Sequence, residues 1–367
     1  MKKLAIVLGS LVALSTIVAA KEVIVEPVEV IEPVIVERIV YRDPIPVWRP
    51  TGTLDLSYKY YGSDEHDSKE YGRLQFEGDI QMTPNQKLEY RIRNYNSLTN
   101  AETIGNGVGD FGNSADLRFR YFYNHGSLGG SKVNLTSRLE YRNQDSANEI
   151  LSNGNRPNGI MGRSQGLEYQ ARFNFVEYMS WTPEWFKNTN MTLAPKYKYA
   201  WGNNNSDYVN TFGINLYTNF NLGYGFTTEF NLYSGWQDKG TVAGDYDQFV
   251  LDIEAYLYYT KNLWKSGALA LNFNFEGGLD PYTTGERSAK RIGITTVVES
   301  ADWFASHSDE YTLYAMPSFE LTYQATEHVK TYVSVGAEYK NWRETEASSA
   351  QDWTWMPQAT VGFNVIF

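Results

Sequence analysis

The sequence predicts an all-β fold: a transmembrane antiparallel up-and-down β-barrel of about 14 strands, within a range of roughly 12 to 16. Three observations predict it. From residue 51 to the end, apolar and polar residues alternate at period two, the repeat of a strand with two unlike faces. Connectors between the alternating segments are long and short by turns. The 28 Tyr and 10 Trp gather at segment ends.

Residues 1–20, MKKLAIVLGSLVALSTIVAA, read as a cleaved signal peptide, with Lys2 and Lys3 before an apolar Leu4 to Val18 core and small residues Ala19 and Ala20 at its end. Gly9, Ser10, Ser15 and Thr16 interrupt that core, which suits a signal better than a membrane anchor. Residues 21–50 form a periplasmic leader rich in Pro, Val and Glu. Pro27, Pro33, Pro44, Pro46 and Pro50 remove ladder donors and fix φ, so an extended spacer is expected. Residues 51–367 are the barrel.

The first strand carries Leu54, Leu56, Tyr58 and Tyr60 against Thr53, Asp55, Ser57 and Lys59. Next come Leu74, Phe76, Ile80 and Met82, then Leu88, Tyr90 and Ile92 after a turn at Pro84. The fourth to seventh segments are centred on Phe119, Leu139, Tyr169 and Leu193, with Phe175 ending the sixth. Phe212 to Phe220, Phe226 to Leu232, Phe249 to Tyr259 and Leu269 to Phe275 continue the pattern. Leu313 to Leu321, Val329 to Tyr339 and Ala359 to Phe367 complete it. On a 3.6-residue period these apolar positions would scatter around a helix.

Composition narrows the function. Mean hydropathy of -0.46 excludes a bundle of membrane helices. Without cysteine there is no disulfide framework or thiolate metal site. With 32 Lys plus Arg against 43 Asp plus Glu, the net charge of -11 argues against nucleic acid as a partner.

Connector lengths favour a barrel over a sandwich. Long connectors are expected near residues 62–70, 97–114, 144–164, 202–208, 237–246, 280–308 and 341–352. Tight turns are expected at Pro84, Gly126 to Gly130, Leu222 to Gly225, Lys261 to Gly267 and Gln324 to Glu327, with a longer one at Trp181 to Asn190. Trp and Tyr at segment ends, including Tyr60 with Tyr61, Trp236, Trp264 and Trp355, are expected in the interfacial girdles. The C-terminal VGFNVIF is similar to the assembly signal of bacterial outer-membrane proteins.

Together with MKKLAIVLGS, the leader ending Val40-Tyr41-Arg42-Asp43 and Trp48-Arg49-Pro50, and the strand TGTLDLSYKYYG, these features resemble the FomA family of fusobacterial major outer-membrane porins. The resemblance implies a Gram-negative outer-membrane location among lipids, a homotrimer, and diffusion of small hydrophilic solutes and ions. It also implies the alternative of an adhesin whose surface loops bind host surface proteins or partner bacteria.

If the apolar set faces lipid, the polar set lines a hydrated pore, because so many charges are too costly to desolvate. Its second to seventh segments bear Arg73, Lys87, Arg91, Arg93, Arg118, Arg120, Arg138, Arg142, Arg172, Lys196 and Lys198 against Glu77, Asp79, Glu89, Asp116, Glu140 and Glu168, a net of +5. The eighth to thirteenth bear Glu229, Asp252, Glu254, Glu276, Glu320 and Glu338 against Lys330 and Lys340, a net of -4. Opposed walls set up a transverse field that favours polar solutes. By the porin resemblance, the loop at 144–165 folds inward, making Asp145, Glu149, Arg156 and Arg163 constriction candidates; the 280–308 loop competes for that role.

No catalytic, cofactor or metal site is expected. The histidines His66, His125, His307 and His328 have no evident serine partner on a neighbouring strand face, and no G-x-S-x-G, H-E-x-x-H or P-loop occurs.

Overall fold

The structure, a computed structural model, describes residues 48–63, 70–98, 112–147, 162–202, 208–241, 244–285, 310–341 and 353–367. The predicted signal peptide and most of the leader lie outside the described residues. Trp48 already touches the barrel, donating from Nε1 to the Met82 carbonyl at 2.9 Å.

Fourteen strands are described: β1 (Thr51–Tyr61), β2 (Tyr71–Thr83), β3 (Gln86–Ser97), β4 (Gly112–Ser127), β5 (Asn134–Ala147), β6 (Gly162–Asn174), β7 (Lys187–Gly202), β8 (Tyr208–Gly223), β9 (Phe226–Thr241), β10 (Gly244–Ser266), β11 (Leu269–Gly285), β12 (Glu310–Gln324), β13 (Val329–Asn341) and β14 (Trp353–Ile366). Each pairs antiparallel with its sequence neighbours. β14 closes on β1 from Thr53↔Ile366 to Tyr61↔Gln358, so the sheet is a closed barrel. Closure pairs the terminal strands and leaves no edge, which a lipid-exposed sheet requires.

Several strands run further than alternation indicated. β9 and β10 pair up to Thr241↔Gly244, replacing the expected 237–246 loop by a hairpin. At the opposite end β10 reaches Ser266, so Lys261 to Ser266 belongs to the strand and not to a turn. Asp238, Lys239 and Gly240 look like loop residues, yet cross-strand hydrogen bonds carry the ladder through polar sequence once a hairpin has set the register. β6 is shorter: it ends at Asn174, whose side chain caps Val176 N at 2.9 Å as the chain turns at Phe175.

Four prolines sit inside strands, and the ladders accommodate them; at Pro281 in β11 the β11–β12 register shifts between Leu279 and Tyr282. β6–β7 pairing is interrupted between Gln170↔Lys196 and Phe173↔Leu193, around Pro195. The β12–β13 ladder opens between Ala315↔Tyr339 and Ser318↔Gly336, beside Pro317. At Pro357 the β1 ladder has just ended, and Gly62 N bonds the proline carbonyl at 2.8 Å. Proline has no N–H to donate, so each interruption falls where that donor would be missed.

A further opening lies between Phe212↔Trp236 and Asn215↔Tyr233. There Ser234 Oγ accepts from Ile214 N at 3.3 Å and donates to Ile214 O at 2.7 Å, replacing backbone partners. A Cβ on Gly213 would stand 1.9 Å from the Ser234 carbonyl oxygen. Gly213→Val is therefore expected to lower the urea midpoint of the folded barrel, at a cost of about 1–3 kcal/mol. An unchanged midpoint would show that β8 and β9 separate there without penalty.

Candidate functional site

Alternation and closure together sort the side chains into two faces. One phase of each strand presents exposed apolar residues, such as Leu139 (49% exposed), Phe319 (48%), Val335 (53%) and Val361 (54%). The other phase is polar and half-buried or buried. Its side chains reach one another across an intervening strand, as a concave wall allows: Gln170 on β6 donates to Tyr217 on β8 at 3.1 Å, and Tyr332 on β13 donates to Asp55 on β1 at 3.0 Å. This second phase is the inner wall.

All the basic candidates, Arg73, Arg91, Arg93, Arg118, Arg120, Arg138, Arg142, Arg172, Lys196 and Lys198, lie in the inner phase of β2–β7. Register arranges many of them in rows. Glu89, Arg120, Glu140, Glu168 and Lys198 form one row across β3–β7. Arg120 Nε meets Glu140 at 2.5 Å, and Arg138 in the row below bridges Glu140 at 3.6 Å and Glu168 in closer contact. Above them, Asp116 accepts from Arg91 at 2.7 Å and Arg142 at 3.0 Å. Arg172 and Lys196 rest on aromatic faces, 4.4 Å from the Tyr217 ring centroid and 6.0 Å from that of Tyr233.

Glu229, Asp252, Glu254, Glu276, Glu320 and Glu338 lie in the inner phase of β9–β13. Neutral donors hold several of these carboxylates. Asn231 donates to Glu229 at 2.6 Å, Tyr233 to Glu254 at 3.1 Å, Tyr314 to Glu276 at 2.6 Å and Gln358 to Glu338 at 2.8 Å. A neutral donor orients a carboxylate without cancelling its charge. In the closed strand order β2–β7 and β8–β13 occupy opposite halves of the ring.

The inner tyrosines were missed at the level of sequence. Tyr61, expected in an outer girdle, is 6% exposed and stacks on Tyr71 at 4.3 Å, with Lys59 Nζ 4.6 Å from its ring centroid. Phase was the available signal, because Tyr61 follows Lys59 and Ser57, not Tyr58 and Tyr60. Trp236, Trp264 and Trp355 are about half exposed on the outside, at 45–51%. At the short-turn end of the bore, Gln81, Lys87, Phe122, Asn124, Arg172 and Asn174 help line a cavity of about 340 Å³.

Two of the constriction candidates are not loop residues. β5 extends to Ala147 and β6 starts at Gly162, and their ladder pairs Asp145 with Arg163. Backbone pairing ties both positions into the wall, although the run of Asn, Gln and Asp there has the composition of a strand end. Glu149 and Arg156 lie outside the described residues, as does residues 286–309 of the competing loop.

Among the histidines, His125 sits inside β4 and has the serine partner not anticipated: its Nε2 lies 2.9 Å from Ser137 Oγ on β5, which in turn contacts Tyr169 OH at 3.0 Å. No carboxylate orients that imidazole among the described residues, so the third member needed for acyl transfer is lacking there. No cluster able to hold a metal occurs among the described residues.

A closed antiparallel barrel with an apolar exterior and a charged interior is a porin-like β-barrel. No family model and no curated protein matches the chain. Among solved structures it is similar to a bacterial polysaccharide outer membrane secretin (9% identity, 86% of this chain and 98% of that chain covered, TM-score 0.40). It is also similar to an anion-selective porin from Comamonas acidovorans (10%, 87% and 99%, TM-score 0.32) and to the Pseudomonas putida toluene transporter TodX (8%, 86% and 89%, TM-score 0.33). At such identities no activity or residue role carries across.

Proposed function

We propose that this chain is a bacterial outer-membrane porin, a water-filled channel for passive diffusion of small hydrophilic solutes and ions. The observation that carries the reading is the division of charge around one continuous wall: cations concentrate on β2–β7 and carboxylates held by neutral donors on β9–β13, beneath an apolar exterior. Water is the only medium in which such a wall is stable without a matching partner. The field between the halves orients dipolar solutes and discriminates against apolar ones. The resemblance to the FomA type extends the proposal to a trimeric assembly. The adhesin alternative concerns connectors outside the described residues.

Conductance of the purified protein in a planar bilayer tests the reading. Stepwise channel insertion is expected, and a folded protein that inserts without conducting overturns it. Replacing Arg91, Arg93, Arg118 and Arg120 by glutamate should move the reversal potential in a salt gradient toward cations, with a several-fold rise in the potassium-to-chloride permeability ratio. If the potential does not move, these arginines serve wall solubility and not selectivity.

A further inference from the structure

Rows of inner-wall residues on β3–β5 differ in how their charges are compensated. In the row of Glu89, Arg120 and Glu140, signs alternate between adjacent strands. The next row toward the long connectors has Arg91 directly opposite Arg118, and Arg118 directly opposite Arg142. Like charges in directly opposed positions repel, so this row destabilises the barrel unless something shares the charge.

Asp116 supplies only part of the compensation. Its Oδ2 accepts from Arg91 Nη2 at 2.7 Å and from Arg142 Nη2 at 3.3 Å, and its Oδ1 accepts from Arg142 Nε at 3.0 Å. The two outer arginines are thereby held on either side of the middle one. Glu140 and Glu89, in the row below, are engaged by Arg120 at 2.5 Å and 4.0 Å. Among the described residues, Arg118 makes no hydrogen bond or ion pair. Arg91 Nε is buried without an acceptor as well. Three guanidinium groups against one carboxylate leave a local charge of +2 on the wall.

We propose that the Arg91, Arg118 and Arg142 row is an oxyanion-binding station in the lumen, at which Arg118 receives the carboxylate or phosphate group of a passing solute. A guanidinium fork matches both groups in a bidentate manner, and flanking cations raise the local concentration of anions. Asp116 is the positioning residue, because it fixes Arg91 and Arg142 while leaving Arg118 available. This inference rests on the pore reading and names the solute chemistry that such a pore would retain longest.

The test has two arms. In planar bilayers, inorganic phosphate or acetate titrated into potassium chloride should reduce the wild-type current to a saturating level. Arg118→Gln should need about tenfold more of either anion for half-saturation, the loss of one charge-assisted contact, whereas Lys261→Gln, exposed near the short-turn end of β10 and outside both charged walls, should match wild type. Equal half-saturation in wild type and Arg118→Gln overturns the station, as does an equal loss in Lys261→Gln. In detergent, phosphate should raise the Tm of the wild-type barrel and not that of Arg118→Gln, whose Tm without phosphate should equal or exceed wild type. If Arg118→Gln is instead less stable without phosphate, the residue is structural and the proposal fails. The second arm reads the station without current, so a barrel that binds phosphate and does not conduct would overturn the pore reading alone.

Discussion

Val335→Arg is expected to abolish most folding into lipid vesicles, while Ser334→Arg, one residue away, leaves it nearly intact. Val335 lies at the centre of β13, is 53% exposed, and opposes Phe319 on β12 and Ala359 on β14 on the outer face. An arginine at the lipid-facing midplane of a barrel costs about 2–4 kcal/mol. Ser334 points to the other face, where its register partner is Glu320. There an arginine gains an opposite charge and remains hydrated. The fraction of protein running as the compact band on unheated gels after refolding measures the difference. A Ser334→Arg variant as defective as Val335→Arg would mean that the faces are assigned the wrong way round.

Arg138→Leu should be the most destabilising change on the inner wall. Glu140 and Glu168 are directly opposed on β5 and β6, and the Arg138 guanidinium lies between them, with its residue only 5% exposed. Arg120 still engages Glu140 in the variant, so the loss falls on Glu168, whose remaining hydrogen bond among the described residues comes from Gln170 Nε2 at 2.8 Å. Removing one member of a pair this buried costs about 3–5 kcal/mol, because the surviving carboxylate stays desolvated. Adding Glu168→Gln should restore most of the stability in urea unfolding. A loss below about 1 kcal/mol would show that water reaches this row freely enough to screen it.

Much of this architecture is legible in the sequence. Leu139 and Tyr141 against Arg138, Glu140 and Arg142 declare two faces, and a one-residue slip would exchange them entirely. Strand ends were less legible. The polar stretch Gln237 to Gly240 reads as loop, yet hairpin pairing keeps it in β9. Asp145 and Arg163 also sit in polar sequence that reads as loop, yet pair across β5 and β6. His125 and Ser137 are twelve residues apart in sequence, and only the β4–β5 register brings them to 2.9 Å.

Alternation, together with connectors long and short by turns, dictated the fold class, and alternation alone the character of each face, because a strand has only two sides and lipid and water sort side chains between them. Which charges neutralise one another was decided by the closed sheet. Arg91, Arg118 and Arg142 belong to three different strands, and nothing local marks them as one row. Their adjacency, and the placing of Asp116 beside the outer two, follow from the stagger between strands, which is set only when the ladder is complete.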